Sequence, residues 1–298
     1  MTRFLEAVLN GGCVGAAYAL IGLGFVIIYK STGVLNFAQG AMMLLGAYLV
    51  YNLHVTWGLP FYVALVLAVA AGALVGALIE ELVLRFFVGQ QPFAQIMVTV
   101  GVLFVLQQIV EAIWGTSALQ QNDPWALRTV TVFDAIVPVA YVWRAVFALV
   151  VFVAFFLFFR YSLFGLAMRA SALDAEAAMA QGISPRRVAM VAWAMAGACA
   201  TLAGASFTTG AAVLEPTVQF VALAAFPAII LGGLDSPGGA VVGGLSIGII
   251  QTLASTYVPI HAQWAGAGFD KVVPYLVMVV LLLVRPYGLF GTKEVRRV

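Results

Sequence analysis

The residue types that do covalent or metal chemistry are few and scattered in this chain. His54 and His261 stand near the ends of apolar runs, apart from any acid or cysteine pattern, so no zinc-type ligand spacing forms and both read as loop residues. Cys13 and Cys199 lie inside apolar runs, where a free cysteine packs as a small hydrophobe; neither a metal pattern nor a disulfide framework is present. Gly232-Gly233 and Gly238-Gly239 lack the Gly-Lys-Ser/Thr that completes a phosphate loop. What remains is the chemistry of amides in an apolar setting. Asn36, Gln39, Thr99, Gln107 and Gln108 fall in apolar stretches, where such groups either bond helices to one another or line a wet path for a solute. Among the acids, Glu111 comes nearest to membrane depth, close to the end of its run. Glu80 and Glu81 beside Arg85 read as a cytoplasmic end, and Glu215 next to Pro216 as an outer-loop residue. A proton-coupled carrier needs a buried acid or histidine relay and an intramembrane enzyme needs a convergent catalytic set; the sequence has the pattern of neither.

A second constellation is polar. Residues 160–187 carry Arg160, Arg169, Arg186 and Arg187 with Asp174 and Glu176. Ser171 or Asp174 can cap a helix start, because a side-chain oxygen accepts from the free N–H groups of a first turn. Ala175 to Gln181 are good helix formers, and Gly182 supplies a left-handed stop. Ser184 can cap again, with Pro185 where a first-turn proline loses no hydrogen bond. The spacing predicts a short helix capped at both ends and joined to a membrane span, a shape that a soluble partner could push.

The elements that must position these groups are membrane helices. Of the 298 residues, 64% are hydrophobic and 9% charged, against about 25% charged in a typical soluble domain. The net charge of +2 gives no case for nucleic acid. Apolar runs of the length needed to cross lipid cover Ala7 to Tyr29, Phe61 to Leu84, Phe93 to Trp114, Trp143 to Phe159, Val188 to Thr208 and Ala240 to Tyr257. Val34 to Leu53 is a second span or a broken one, Val218 to Leu234 is interrupted by Pro227, and Val272 to Val284 closes the set. The first run has no short hydrophobic region ending at an A-x-A site, so it reads as retained. Gly11/Gly15, Gly72/Gly76 and Gly244/Gly248 offer small faces for close helix packing. The fold class is therefore all-α and polytopic, with about eight or nine transmembrane or broken helices in one membrane domain, 1–298. Residues 116–142 form the long polar loop, with strand-like alternation from Thr129 to Phe133. Eight of the 14 Lys and Arg lie in 160–187 and in Arg285 to Arg297, which places both on the cytoplasmic side and 116–142 opposite. The side of the N-terminus depends on whether Val34 to Leu53 crosses fully.

Several of these segments resemble one family. Ala175-Glu176-Ala177-Ala178, with Gly182 four residues on, resembles the coupling loop of ATP-binding-cassette (ABC) importer permeases. Gly15-x-x-Tyr18-Ala19-Leu20 with Gly22-Leu23, Val34-Leu35-Asn36-Phe37-Ala38-Gln39-Gly40 with Leu45-Gly46-Ala47-Tyr48, and Leu231-Gly232-Gly233 through Gly238-Gly239-Ala240 to Gly243-Gly244 resemble the branched-chain amino-acid permease family, its LivH-type subunit. Gln39 stands where that family more often has histidine. The resemblance runs over nearly the whole chain. It implies a permease subunit of the bacterial inner membrane, not itself an enzyme, with the C-terminus cytoplasmic. It implies no cofactor in this chain, since ATP and Mg belong to two partner ATPase subunits. The other implied partners are a second, LivM-type permease and a periplasmic solute-binding protein that delivers branched-chain or hydrophobic amino acids. On that resemblance Ala175, Glu176, Ala177, Ala178 and Gly182 couple to the ATPase, and Asn36, Gln39, Thr99 and Gln107 lie on the substrate path. Relatives that carry urea, short amides or other small carboxylates form the alternative within the family. A channel or secondary carrier is the alternative of another class.

Overall fold

The computed structural model describes residues 2–291 except Val88, Ala126, 262–265 and Ala267. The basic tail read at Lys293, Arg296 and Arg297 lies outside the described residues. The architecture is all-α apart from one hairpin. Among the described residues, six helices are long and apolar enough to cross a membrane. They are α1 (Thr2–Thr32), α3 (Phe61–Leu82, extended by a 3-10 turn at Leu84–Phe87), α4 (Pro92–Trp114), α5 (Val139–Tyr161), α8 (Pro185–Phe207) and α11 (Pro237–His261). Shorter pieces are α2 (Gln39–Tyr51), α6 (Leu163–Leu173), α7 (Ala175–Ala180), α9 (Val221–Ala224), α10 (Phe226–Gly232) and α12 (Val273–Val284).

α1 is the central post. Its most apolar stretch is 83% buried, against 11% for α5, so α5 runs along the perimeter and α1 through the middle. α1 packs on α11 through Gly11, Gly15, Gly244 and Gly248, and α3 packs on α8 through Gly72, Gly76 and Gly197. Lipid tails are as apolar as leucine, so small residues that let backbones approach do the work of association. At Gly15 a Cβ would lie 2.7 Å from Leu245 Cα, so no larger residue fits there without moving a helix.

Two sides can be told apart. On one, β1 (Thr129–Val132) and β2 (Ala135–Pro138) pair antiparallel around Phe133 and Asp134, both at positive φ. Leu119 and Leu214 exchange backbone hydrogen bonds at 2.9 Å, joining the 116–142 loop to the segment before Glu215. Trp125 stacks on Trp143 and meets Phe61 edge-on, an aromatic cluster of the kind that anchors helices at a membrane–water boundary. Asn10 Nδ2 donates to Ile136 O at 3.2 Å, which puts the start of α1 on this hairpin side. α6 and α7 mark the other, lever side.

Three boundaries differ from the sequence expectation, each for a local reason, and one open alternative is decided. α6 is a second helix in the lever loop; it starts at Ser162, whose hydroxyl accepts from Gly165 N, so Ser171 lies inside a helix and caps nothing. Only Asp174 caps α7. α11 begins at Pro237, three residues before Ala240, because Ser236 Oγ accepts from Gly239 N and proline suits a first turn. α5 begins at Val139, four residues before Trp143, directly after Pro138, whose extended backbone ends the second hairpin strand. Val34 to Leu53 is broken: residues 33–38 are not helical, and α2 runs for only 13 residues before a π-helical turn at Asn52–Thr56.

Candidate functional site: an amide knot at mid-membrane and a capped lever

α2 spans about 20 Å at 1.5 Å per residue, short of the ~30 Å hydrocarbon core. Its first residue is level with the middle of α8, since Gln39 Nε2 donates to Ala196 O at 3.3 Å and Ala196 is the twelfth of the 23 residues of α8. α2 is thus a half-helix whose N-terminus opens inside the membrane. Non-helical backbone at that depth must find internal partners. Asn36 Oδ1 accepts from Ala38 N at 3.0 Å, and Phe37 N donates to Thr99 Oγ1 at 3.2 Å. Asn36 Nδ2 donates to Gln39 Oε1 at 3.1 Å, and Thr99 Oγ1 donates to Ile96 O at 2.8 Å.

Asn36, Gln39 and Thr99 are fully buried and form one knot. Gln107 is not part of it: its Nε2 donates to Glu111 Oε1 at 2.8 Å, one turn further along α4 toward the hairpin side. A second broken segment meets the first. The 3-10 turn Pro216–Phe220, α9 and α10 descend with Pro227 in the first turn of α10. Gly40 abuts Gln219 and Ala222, and the Phe226 ring lies 5.8 Å from that of Phe37 and 4.9 Å from that of Phe25. The arrangement places two breaks against each other, with neutral amides and no acid or base in the knot.

At the lever, Asp174 Oδ1 accepts from Ala177 N at 2.9 Å and closes the start of α7. The end is a full Schellman turn: Gly182 takes φ +83°, its N–H reaches Met179 O at 2.9 Å, and Ile183 N reaches Ala178 O at 3.1 Å. Ala178 points inward, while Glu176, Ala177, Met179, Ala180 and Gly182 are exposed. The Ala175 side chain lies outside the described residues. Ser184 caps α8, Pro185 opens it, and Arg186 forms an ion pair with Glu81 on α3, which Arg85 also holds at 2.7 Å. The short helix is thereby tied to two long ones.

Three features went unread in the sequence. Arg144 is buried, with Nε and Nη2 donating to Ser206 O at 3.1 and 2.8 Å and its guanidinium over the Tyr141 and Phe207 rings. Tyr141 at i−3 was the available signal. Gln121 Nε2 donates to Ala47 O and Thr208 Oγ1, pinning the 116–142 loop over α2 and α8; a lone loop amide carries no signal. His54 lies in the π-helical turn, not in a loop, with its ring nitrogens against Leu59 O and Asn122 O, and His261, also read as a loop residue, is the last residue of α11. Glu80 and Glu81 differ sharply: Glu81 is paired at the surface and Glu80 is buried. Adjacent helix positions point about 100° apart, so two consecutive acids at a packed helix end cannot both face water.

Comparisons with known proteins bear on this geometry. Residues 7–282 match the family described as branched-chain amino acid transport system/permease component. The permease LivH of the high-affinity branched-chain amino acid transport system of Escherichia coli K12 is 31% identical, over 99% of this chain and 98% of its own. BraD of Pseudomonas aeruginosa is 28% identical over the same shares. Among solved structures, PsaBC from Streptococcus pneumoniae in complex with Fab superposes with a TM-score of 0.51 at 12% identity, covering 96% of this chain and 93% of that one, which shows a shared fold. A family match over residues 7–282, with a relative 31% identical over 99% of the chain, shows that the chain belongs to the branched-chain amino acid transport permease family.

Proposed function

We propose that this permease moves branched-chain or other hydrophobic amino acids inward, as half of the membrane path of an ATP-driven importer. The observation that carries the reading is the connection from α7 to the membrane: an exposed, doubly capped helix joined through Ser184-Pro185 to α8 and through Arg186–Glu81 to α3. In this reading α7 docks on ATPase subunits that bind ATP and Mg through Ala175, Glu176, Ala177 and Gly182, while Ala178, expected in the same contact, is turned inward and packs the helix on its own chain. The lever side and the C-terminus face the cytoplasm, as the arginines of 160–187 favour. The hairpin side receives a periplasmic solute-binding protein on the surface built by 116–142 and the Glu215 segment, and a LivM-type permease completes the pathway.

Transport follows from the two breaks. ATP-driven movement of α7 pulls α8, whose middle is bonded to Gln39. The knot of Asn36, Gln39 and Thr99 then loosens against the second broken segment. Neutral amides along such a path hold a zwitterion weakly and let it leave, while Gln107 extends the polar track toward the hairpin side. Tight selection falls to the binding protein. The names of the relatives support the substrate class: high-affinity branched-chain amino acid systems for LivH and BraD.

Purification of the full chain in mild detergent, with identification of what accompanies it, tests the reading. Recovery of ATPase subunits and a second permease, with uptake of leucine that requires ATP and the binding protein, is expected. Recovery of the chain alone, active in uptake without ATP, overturns it in favour of a channel or carrier.

A further inference from the structure

We propose that a cleft at the lever-side ends of α1, α3, α4 and α8 binds the zwitterionic head of an apolar α-amino acid, with Glu80 taking the ammonium and Arg85 the carboxylate. This rests on the reading above only for the direction in which the amino acid passes. The cleft has a volume of about 420 Å³, within the range of small-molecule sites. Two charged groups that line it have unspent hydrogen-bonding capacity. Glu80 is 1% exposed, and its Oε2 has no hydrogen-bond partner. Arg85 Nε is also buried and unpartnered, although Nη1 donates to Glu81. For Glu80 that condition is costly, because a buried carboxyl oxygen has given up water without replacement; the Arg85 side chain is 32% exposed, and only its Nε is shut off from water.

The other polar groups at the cleft are already committed. Ser31 and Thr32 donate to Ile27 and Ile28 carbonyls of α1, Gln95 donates to Phe87 O and Gln90 O, and Arg186 is paired with Glu81. Glu80, Arg85 and Arg186 are the charged residues of the lining, and Glu81, outside it, pairs with both arginines. A simple cation would satisfy Glu80 and leave Arg85 Nε unmet, and a simple anion would do the reverse. One ligand with both charges answers both groups. Leu84, Phe87, Ala189 and Trp193 supply an apolar wall for its side chain. Pro185 and Arg186, the first turn after the lever, also line the cleft, so an occupant sits beside the joint that drives transport.

The test uses the full chain with its partner subunits in lipid nanodiscs, without binding protein. Saturable binding of labelled L-leucine is measured and challenged with 4-methylpentanoate, which lacks the ammonium, and 3-methylbutylamine, which lacks the carboxylate. Leucine is expected to out-compete each half-ligand by about tenfold or more, the effect of one lost charge-assisted hydrogen bond. In Glu80→Gln the preference for leucine over 4-methylpentanoate collapses, while affinity for 4-methylpentanoate stays within about twofold. A folding defect would lower both affinities together, so the ratio separates recognition from structure. An unchanged ratio in Glu80→Gln, or no saturable binding of leucine, phenylalanine or serine, overturns the site. Glu80-dependent zwitterion binding without leucine uptake leaves the site standing and removes the substrate reading; ATP-driven leucine uptake without that binding does the opposite.

Discussion

Arg144 shows how a single buried cation is accommodated in an apolar helix. Its partners are one carbonyl in the last turn of α8 and two aromatic faces, which together replace water without an acid. The placement also suits the negative end of the helix dipole. Arg144→Leu is expected to lower stability by about 1–3 kcal/mol, because Ser206 O loses both donors. Arg144→Lys keeps the charge but not the planar fork, and is expected to fall between the two in thermal unfolding in detergent. Glu176 makes the contrasting case of an exposed charge. The α7 caps come from Asp174 and Gly182, so Glu176→Lys leaves the helix intact. Leucine uptake is expected to fall at least about tenfold, with normal membrane insertion and continued ATP hydrolysis by the assembled complex; uptake at the wild-type level would remove the coupling role.

The helices carry the next level of specification, and here the sequence was readable in proportion to how local the cause is. The caps at Asp174, Gly182 and Ser184 depend on neighbours within three residues, and the structure has all of them. So do the hairpin strand from Thr129 and the break at Pro227. The half-helix α2 was legible only as an ambiguity. Its start depends on Thr99 and Ala196, residues 60 or more positions away, which a local pattern does not contain. The convergence of Asn36, Gln39 and Thr99, and the separation of Gln107 from them, were hidden for the same reason. Glycine faces were legible as faces but not as pairs. The α1–α11 contact now assigns one: Gly15→Leu is expected to cost about 1–3 kcal/mol or more through overpacking, read as a lower midpoint in detergent-denaturation curves. Gly12, three positions away and with open space around its would-be Cβ, is the control expected to show little change on substitution by alanine.

At the scale of the whole molecule, the two faces make a testable division. Leu127 is 77% exposed beside the hairpin and Met179 is 51% exposed on α7. In a chain whose Cys13 and Cys199 are replaced by alanine, Leu127→Cys is expected to react with an impermeant maleimide from outside cells, and Met179→Cys only after permeabilisation. Labelling of both from one side would overturn the placing of the hairpin and the lever on opposite sides of the membrane. The central position of α1 has a further consequence, in time rather than space. The helix that ends up most enclosed leaves the ribosome ahead of the other described helices, and its glycine-lined partner α11 begins roughly 200 residues later. At about 5–20 residues per second, α1 waits on the order of ten to forty seconds in lipid before its main contact exists. Its uninterrupted apolar length lets it survive that interval alone. Assembly therefore closes around the oldest segment last, and a chain truncated before α11 presents its future core to the quality-control proteases of the membrane.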